Sequence, residues 1–168
     1  METIYFKGAP CHTYGTVPAV GEKAPCFNLV NMALKEISCL DFRGKNVVLN
    51  VFPSLDTPVC AASVRRFNQE AAGLENTVVI CVSMDLPFAA SRFCTAEGIE
   101  NLEVASAFRS PLFSQKYGLQ IVDGPLAGLL ARAVIILNGE GKVEYVDLVS
   151  EITDEPDYKS AIDFMKKK

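Results

Sequence analysis

The sequence has no C-x-x-C pair. Its six cysteines stand at positions 11, 26, 39, 60, 81 and 94, and no two neighbours are closer than 13 residues. That spacing excludes the thioredoxin-type redox motif and the usual zinc knuckles. Long apolar runs are missing too. Val47 to Phe52 is among the longest, and it is too short for a helix to span a bilayer. The N-terminus, Met-Glu-Thr, carries neither a basic head nor an apolar stretch, so no secretory signal is expected. A cytoplasmic protein with mostly reduced thiols is the expectation that follows. Basic charge is in deficit: 16 Lys and Arg against 20 Asp and Glu leave a net charge of −4. That argues against nucleic acid or an anionic membrane as partner. Histidine is nearly absent. His12 is the only one, and it adjoins Cys11. A Cys–His dyad needs its base across a cleft, not in the next residue. No linker, repeat or low-complexity segment divides the chain.

What is present suits one domain over residues 1–168, with residues 1–25 as an N-terminal β-hairpin extension. The chain is 49% apolar and 21% charged, as globular proteins are. Thr3 to Phe6 and His12 to Val17 read as the hairpin. Cys26 to Val30 is a candidate strand. Asn46 to Phe52 is β-branched and apolar on both faces, as a central parallel strand should be. A helix is expected from near Thr57–Cys60 to Gly73, a strand over Thr77 to Ser83, and a helix from Pro87 to about Glu97 with Gly98 as its stop. Leu102 to Ala107 is weakly strand-like, and Pro111 to Tyr117 suits a short helix. Ala133 to Leu137 and Val143 to Val149 read as strands joined by the turn Asn-Gly-Glu-Gly. Asp157 to Lys167 reads as a closing helix. This order predicts an α/β fold, a mixed sheet flanked by helices.

Cys60 stands out by position. It lies one turn into a helix that leaves the carboxyl end of a buried strand, the edge where sites form in open α/β sheets. Free N–H groups and the partial positive charge of a helix start favour a thiolate. A buried structural cysteine is the competing reading. Pro53 and Pro58 stiffen the approach, and Thr57 stands one turn before the sulfur. Arg132 leads into the apolar strand Ala133 to Leu137. An Arg entering a core is costly unless it meets an anion or a fixed acceptor; otherwise it is a surface residue at a strand end.

Pro53-Ser-Leu-Asp-Thr57-Pro-Val-Cys60 matches the P-x-x-x-T-x-x-C signature of peroxiredoxins. The continuation to Asn68, the segment Gly124 to Ala133, the segment Glu151 to Tyr158 and the N-terminal hairpin all resemble the bacterial thiol peroxidase subfamily, the atypical two-cysteine peroxiredoxins. The likeness runs along nearly the whole chain. It implies a thioredoxin-like fold, no metal, haem or flavin cofactor, and a homodimer in which Phe108 or Arg109 are candidate interface residues. It implies reduction of hydrogen peroxide and organic hydroperoxides by a peroxidatic Cys60. Thr57 and Arg132 would be donors to the reacting oxygens, Pro53 a shield and Arg65 a supporting residue. Arg66 more simply faces solvent. Leu86, Phe88 and Phe93 are candidates to line a site for larger alkyl groups.

Cys94 falls where the subfamily carries its resolving cysteine. On its own it reads as a buried helix cysteine. It lies about seven residues into its helix, or ~10 Å along the axis. A disulfide needs Cα atoms within roughly 7 Å, so a Cys60–Cys94 bond is expected to require local unwinding. Thioredoxin or a similar dithiol protein would then reduce it. The alternative function is a non-catalytic redox sensor that uses the same couple as a switch; turnover with excess reductant separates the two. A disulfide isomerase is disfavoured by the missing C-x-x-C. Cys81 is expected to be a small core residue. Cys11, Cys26 and Cys39 match no motif and are expected to be structural or incidental.

Overall fold

The period of two in Val47-Val-Leu-Asn-Val-Phe52 divides the interior into two cores. Val47, Leu49 and Val51 face one core, shared with Ile80, Val82, Ala133, Ile135 and Leu137. Val48 and Phe52 face the other, shared with Val79, Cys81, Val134 and Ile136. Each strand presents alternate residues to opposite sides, so a run that is apolar throughout must be covered on both. The computed structural model describes residues 1–168.

The chain enters as a hairpin, β1 (Thr3–Phe6) and β2 (Ala9–His12). Its second strand begins earlier than the sequence suggests. A two-residue turn, Lys7-Gly8 with φ of 52° and 80°, supplies the mirror-image geometry hairpins favour, and Pro10 disguises the strand. β3 (Asn28–Asn31) and β4 (Glu36–Ser38) follow, then a 3-10 turn over Cys39–Phe42. β4 is three residues long, too short to show a period.

The central units are β5 (Asn46–Val51), α1 (Pro58–Ala71), β6 (Thr77–Ser83), α2 (Pro87–Glu97) and β7 (Glu103–Ser106). The short α3 (Pro111–Lys116), β8 (Ala133–Leu137), β9 (Val143–Leu148) and α4 (Tyr158–Lys166) complete the chain. Seven strands form one sheet in the order β4-β3-β7-β6-β5-β8-β9. β5, β6 and β7 are parallel; β8 runs antiparallel to β5, and β3 to β7. This is the mixed sheet read from the sequence. Residues of α1, α2 and α4 cover one face, while α3 and the N-terminal hairpin contribute to the other. No helix is long and apolar enough to cross a membrane.

Of the two readings open for Cys26 and Cys39, structural or incidental, the structural one holds: a disulfide joins them, with Cα atoms 5.4 Å apart, so this pair departs from the expectation of reduced thiols. The antiparallel pairing of β3 with β4 sets Asn28 opposite Ser38, and the Cys39 N–H donates to the Phe27 carbonyl. The two cysteines therefore meet just beyond the end of that ladder. Without β4 in view, nothing in the sequence brought them together. Cys11, Cys60, Cys81 and Cys94 are free and buried.

Burial pushes the Cys81 thiol up to about 12 and the Cys94 thiol up to about 11. Both lie above the ordinary thiol value of ~8.5. The native state thus keeps protons that the unfolded chain releases. These contributions are complete below about pH 8.5 and are lost as pH rises toward the folded values. Denaturant melts are expected to be level to about pH 8, then to lose roughly 1 kcal/mol per pH unit for each thiol. Cys81→Ala should make that slope shallower; midpoints that stay level to about pH 10.5 would contradict the expectation.

Candidate active site

The antiparallel register of β5 and β8 places Ala133 opposite Val51. The start of β8 therefore lies beside the end of β5, where the chain turns through Pro53 to Thr57 into α1. This crossing brings Arg132 to Cys60 across 72 positions of sequence. Arg132 Nη2 donates to Cys60 Sγ at 3.3 Å. Cys60 is 0% exposed and Arg132 2%. A buried guanidinium is costly without an acceptor or counter-charge. Here one nitrogen faces the sulfur, Nε donates to the Ile152 carbonyl at 2.9 Å, and Nη1 has no partner. The N–H groups of Val59 and Cys60, in the first turn of α1, also have no backbone or side-chain acceptor, since the first helical bond runs from Ala61 to the Thr57 carbonyl. Unused donors thus converge near the sulfur.

Thr57 is the N-cap of α1 but its side chain caps nothing. Its hydroxyl donates to the Ser54 carbonyl at 3.1 Å rather than to Cys60. Pro53 is buried at the end of β5. Arg65 is exposed, and its partner is Glu97 on α2, at 3.2 Å. It ties α1 to α2 and makes no bond to Cys60. Arg66 is also exposed and pairs with Glu70. Leu86 and Phe88 are exposed, whereas Phe93 packs against the core around Cys60.

Several residues of the site were not read from the sequence. Asp85, just beyond β6, holds the loop that leads to Cys60. Its carboxylate accepts from Ser54 Oγ at 2.8 Å, from the Leu55 N–H at 2.7 Å and from Ser83 Oγ at 2.7 Å. Ser63 Oγ donates to the Cys60 carbonyl at 2.9 Å and accepts from Asn50 Nδ2 at 3.1 Å. Asn50 Nδ2 also lies 3.5 Å from Cys81 Sγ, and its Oδ1 is unpartnered. Tyr158 stacks edge-on against Phe67, its hydroxyl buried and unpartnered. Burial first, then Glu155, pushes that phenol up to about 12, so it stays protonated. The available signals were a lone Asn inside an apolar strand and a Ser-x-Asp at a strand end.

The N-terminal hairpin braces the same site from outside. Tyr5 exchanges backbone hydrogen bonds with Ser150 and Ile152, at 2.7 and 2.9 Å. Glu151 accepts from the Lys7 and Gly8 N–H groups, and backbone donors led by Gly8 hold its carboxyl down at about 2. The braced loop carries the Ile152 carbonyl that holds Arg132 Nε.

Cys94 lies in α2, in the same apolar cluster as Cys60. Its carbonyl accepts from both Gly98 and Ile99, with Gly98 in the left-handed conformation that ends the helix. The two sulfurs are unbonded. Arg65–Glu97 and Arg92–Asp56 link α2 to α1 and to the loop before it. Asp85→Ala would free the Pro53–Thr57 loop and leave its donors unpaired. The expected result is a loss of about 1–3 kcal/mol of stability and a slower reaction of the Cys60 thiol, checked by thermal melts and initial rates. An unchanged rate would show that the loop needs no such anchor.

A family model described as Redoxin matches residues 19–162. The thiol peroxidase of Corynebacterium glutamicum is 54% identical over 162 residues, covering 96% of this chain and 98% of its own. That of Mycobacterium tuberculosis is 52% identical over 162 residues, covering 96% and 97%. A crystal structure of a peroxiredoxin-like protein from Aquifex aeolicus superposes with a TM-score of 0.93 at 44% identity, covering 98% of this chain and 96% of that one. A thiol peroxidase from Chromobacterium violaceum superposes at 0.89 with 19% identity, covering 98% and 96%, a likeness of fold alone.

Proposed function

This chain belongs to the Redoxin family and is a thiol peroxidase, and we propose that Cys60 is its peroxidatic residue and Cys94 its resolving residue. One observation carries the reading: a fully buried Cys60 sulfur accepts from Arg132, whose Nη1 has no partner. The Cys60 thiolate attacks one oxygen of hydrogen peroxide or an organic hydroperoxide. The S–O bond forms, the O–O bond breaks, and the leaving oxygen departs as water or an alcohol after taking a proton. Charge builds on that oxygen as it leaves. Arg132 Nη1 and the first-turn N–H groups are donors in place before reaction, which is where such catalysis is effective. Thr57 joins them when its hydroxyl turns from Ser54 toward the oxygen. Pro53 screens the sulfur from water. Arg65 acts through the helix contact with Glu97.

Cys60 is then a sulfenic acid. The Cys94 thiolate attacks its sulfur, a disulfide forms and water leaves. Both cysteines are buried on separate helices, so α1, α2 or both must open locally first. The short α2, ended by Gly98, suits such opening. Thioredoxin or a similar dithiol protein reduces the disulfide. No metal, haem or flavin takes part. We read residues 1–168 as one cytoplasmic domain, acting as a homodimer, with residues 1–25 its hairpin extension.

Cys94→Ser tests the assignment. The first turnover should proceed at the rate of the unaltered protein, and cycling with thioredoxin should stop. Mass spectrometry of the peroxide-treated unaltered protein should show one Cys60–Cys94 linkage. Normal cycling by Cys94→Ser would remove Cys94 from the mechanism.

A further inference from the structure

A second pair of sulfurs lies at the other end of the sheet. Cys26 and Cys39 border a cavity of about 620 Å³ at the amino end of β5 and the carboxyl end of β8. Cys60 is beyond the opposite end of β5, roughly 15 Å away along the strand. The cavity falls within the range of small-molecule sites, ~300–1,000 Å³. Phe27, Leu40, Phe42, Val47 and Leu137 contribute apolar walls. Lys23, Arg43 and Lys45 line it as well, all three exposed. None of them forms an ion pair; Lys23 Nζ donates to the Glu140 carbonyl. Glu140 is the single acidic residue among those lining it. A chain of net charge −4 thus gathers unpaired cations around an accessible disulfide.

We propose that Cys26–Cys39 is a second redox site, independent of Cys60, that exchanges with an anionic low-molecular-weight thiol held in this cavity. The two sulfurs are not equivalent. Cys26 is exposed, whereas Cys39 is half-buried against the core. An incoming thiolate therefore attacks Cys26 Sγ. A bond forms between the ligand's sulfur and Cys26, the Cys26–Cys39 bond breaks, and Cys39 leaves as a thiolate that takes a proton. A second ligand thiolate attacks the ligand sulfur of the mixed disulfide. The ligand disulfide forms, and Cys26 leaves and is protonated. Two thiols supply two electrons, and the reverse sequence reoxidises the pair.

The surrounding fold keeps the cysteines together when the bond is open. The β3–β4 ladder pairs Asn28 with Ser38 and Leu29 with Ile37, and the Cys39 N–H donates to Phe27 at 3.0 Å. Ser38 and Asp41 cap the 3-10 turn reciprocally. Reduction leaves this scaffold intact, so the exchange is reversible.

The test uses glutathione as the anionic probe and β-mercaptoethanol as a neutral one, at equal thiolate concentrations. Cys26 and Cys39 are followed by site-resolved mass spectrometry in the full chain. A glutathione adduct on Cys26 is expected, formed faster than the neutral adduct and slowed by salt, as attraction between exposed charges requires. Arg43→Glu/Lys45→Glu should slow the glutathione reaction by about fivefold or more, the scale of two exposed ion pairs, and leave the β-mercaptoethanol reaction and peroxide turnover unchanged. The proposal is overturned if glutathione leaves the disulfide intact, if the adduct forms on Cys39, or if charge reversal and salt leave the rate unaltered. Parallel loss of peroxide turnover would overturn its independence from Cys60.

Discussion

Cys60→Ser is expected to reduce peroxide consumption by at least about 10⁴-fold, the scale on which loss of a nucleophile acts. The substitution is nearly isosteric, and the sulfur is 0% exposed, so the fold should persist. What changes is the attacking atom. An alcohol stays protonated at neutral pH and is a poor nucleophile toward an O–O bond, whereas a thiolate is the reactive form of cysteine. Arg132 keeps its bond to Ile152, so its position is not in question. Cys94 remains free and buried, its thiol pushed up to about 11, and is no substitute in the closed fold. Peroxide loss with excess dithiol, measured beside a sulfenic-acid trap, checks both steps. Substantial turnover by this variant would move the chemistry to another residue.

Arg132→Met carries the second large effect. Methionine fills much of the space but donates nothing. The Cys60 sulfur loses its 3.3 Å donor, and the leaving oxygen loses the unpartnered Nη1. Removing one preorganised donor of this kind typically costs ~10²–10³ in rate. The Ile152 carbonyl is left without Nε, at about 1–3 kcal/mol of stability. Arg132→Lys should fare little better. The guanidinium serves Ile152 and Cys60 from different nitrogens, and a single ammonium reaches one or the other. Rapid-mixing rates for the first turnover, with melts to confirm folding, decide the matter. A first turnover within tenfold of the unaltered rate would show that Arg132 has only a structural part.

The hydrophobic pattern made much of this fold legible. Thr77–Ser83, Pro87–Glu97 and Ala133–Leu137 lie where their residues place them, because length, β-branching and Pro or Gly boundaries agree there. β2 and β4 were obscured for opposite reasons, one by Pro10 and the other by having three residues. At the site, position singled out Cys60, and the octapeptide it ends added Thr57, whose hydroxyl bonds the Ser54 carbonyl rather than the sulfur. The cost of burying an Arg left Arg132 open between core and surface; the resemblance pointed it to the site, and the fold buries it against Cys60. Asp85, Ser63 and Tyr158 were not legible: Asp85 matters through partners 30 and 31 residues away, Tyr158 through burial, and Ser63 through an Asn50 that meets it only when α1 packs on β5. Asn50, a lone polar residue in an apolar run, left a trace whose meaning depended on Ser63.

The cysteine spacing shows the same division. By itself it established that no local dithiol motif exists, and the octapeptide ending in Cys60 singled out one thiol. Periodicity and nearest-neighbour chemistry operate within a few turns of chain, and the sequence records them directly. Which cysteines meet is another matter. The pairing of β3 with β4 joins Cys26 to Cys39, and the register of β5 with β8 sets Arg132 against Cys60. Those contacts span 13 and 72 positions and arise only when the sheet closes. Burial, the cause of the raised Cys81 and Cys94 thiols, is likewise a property of the assembled core.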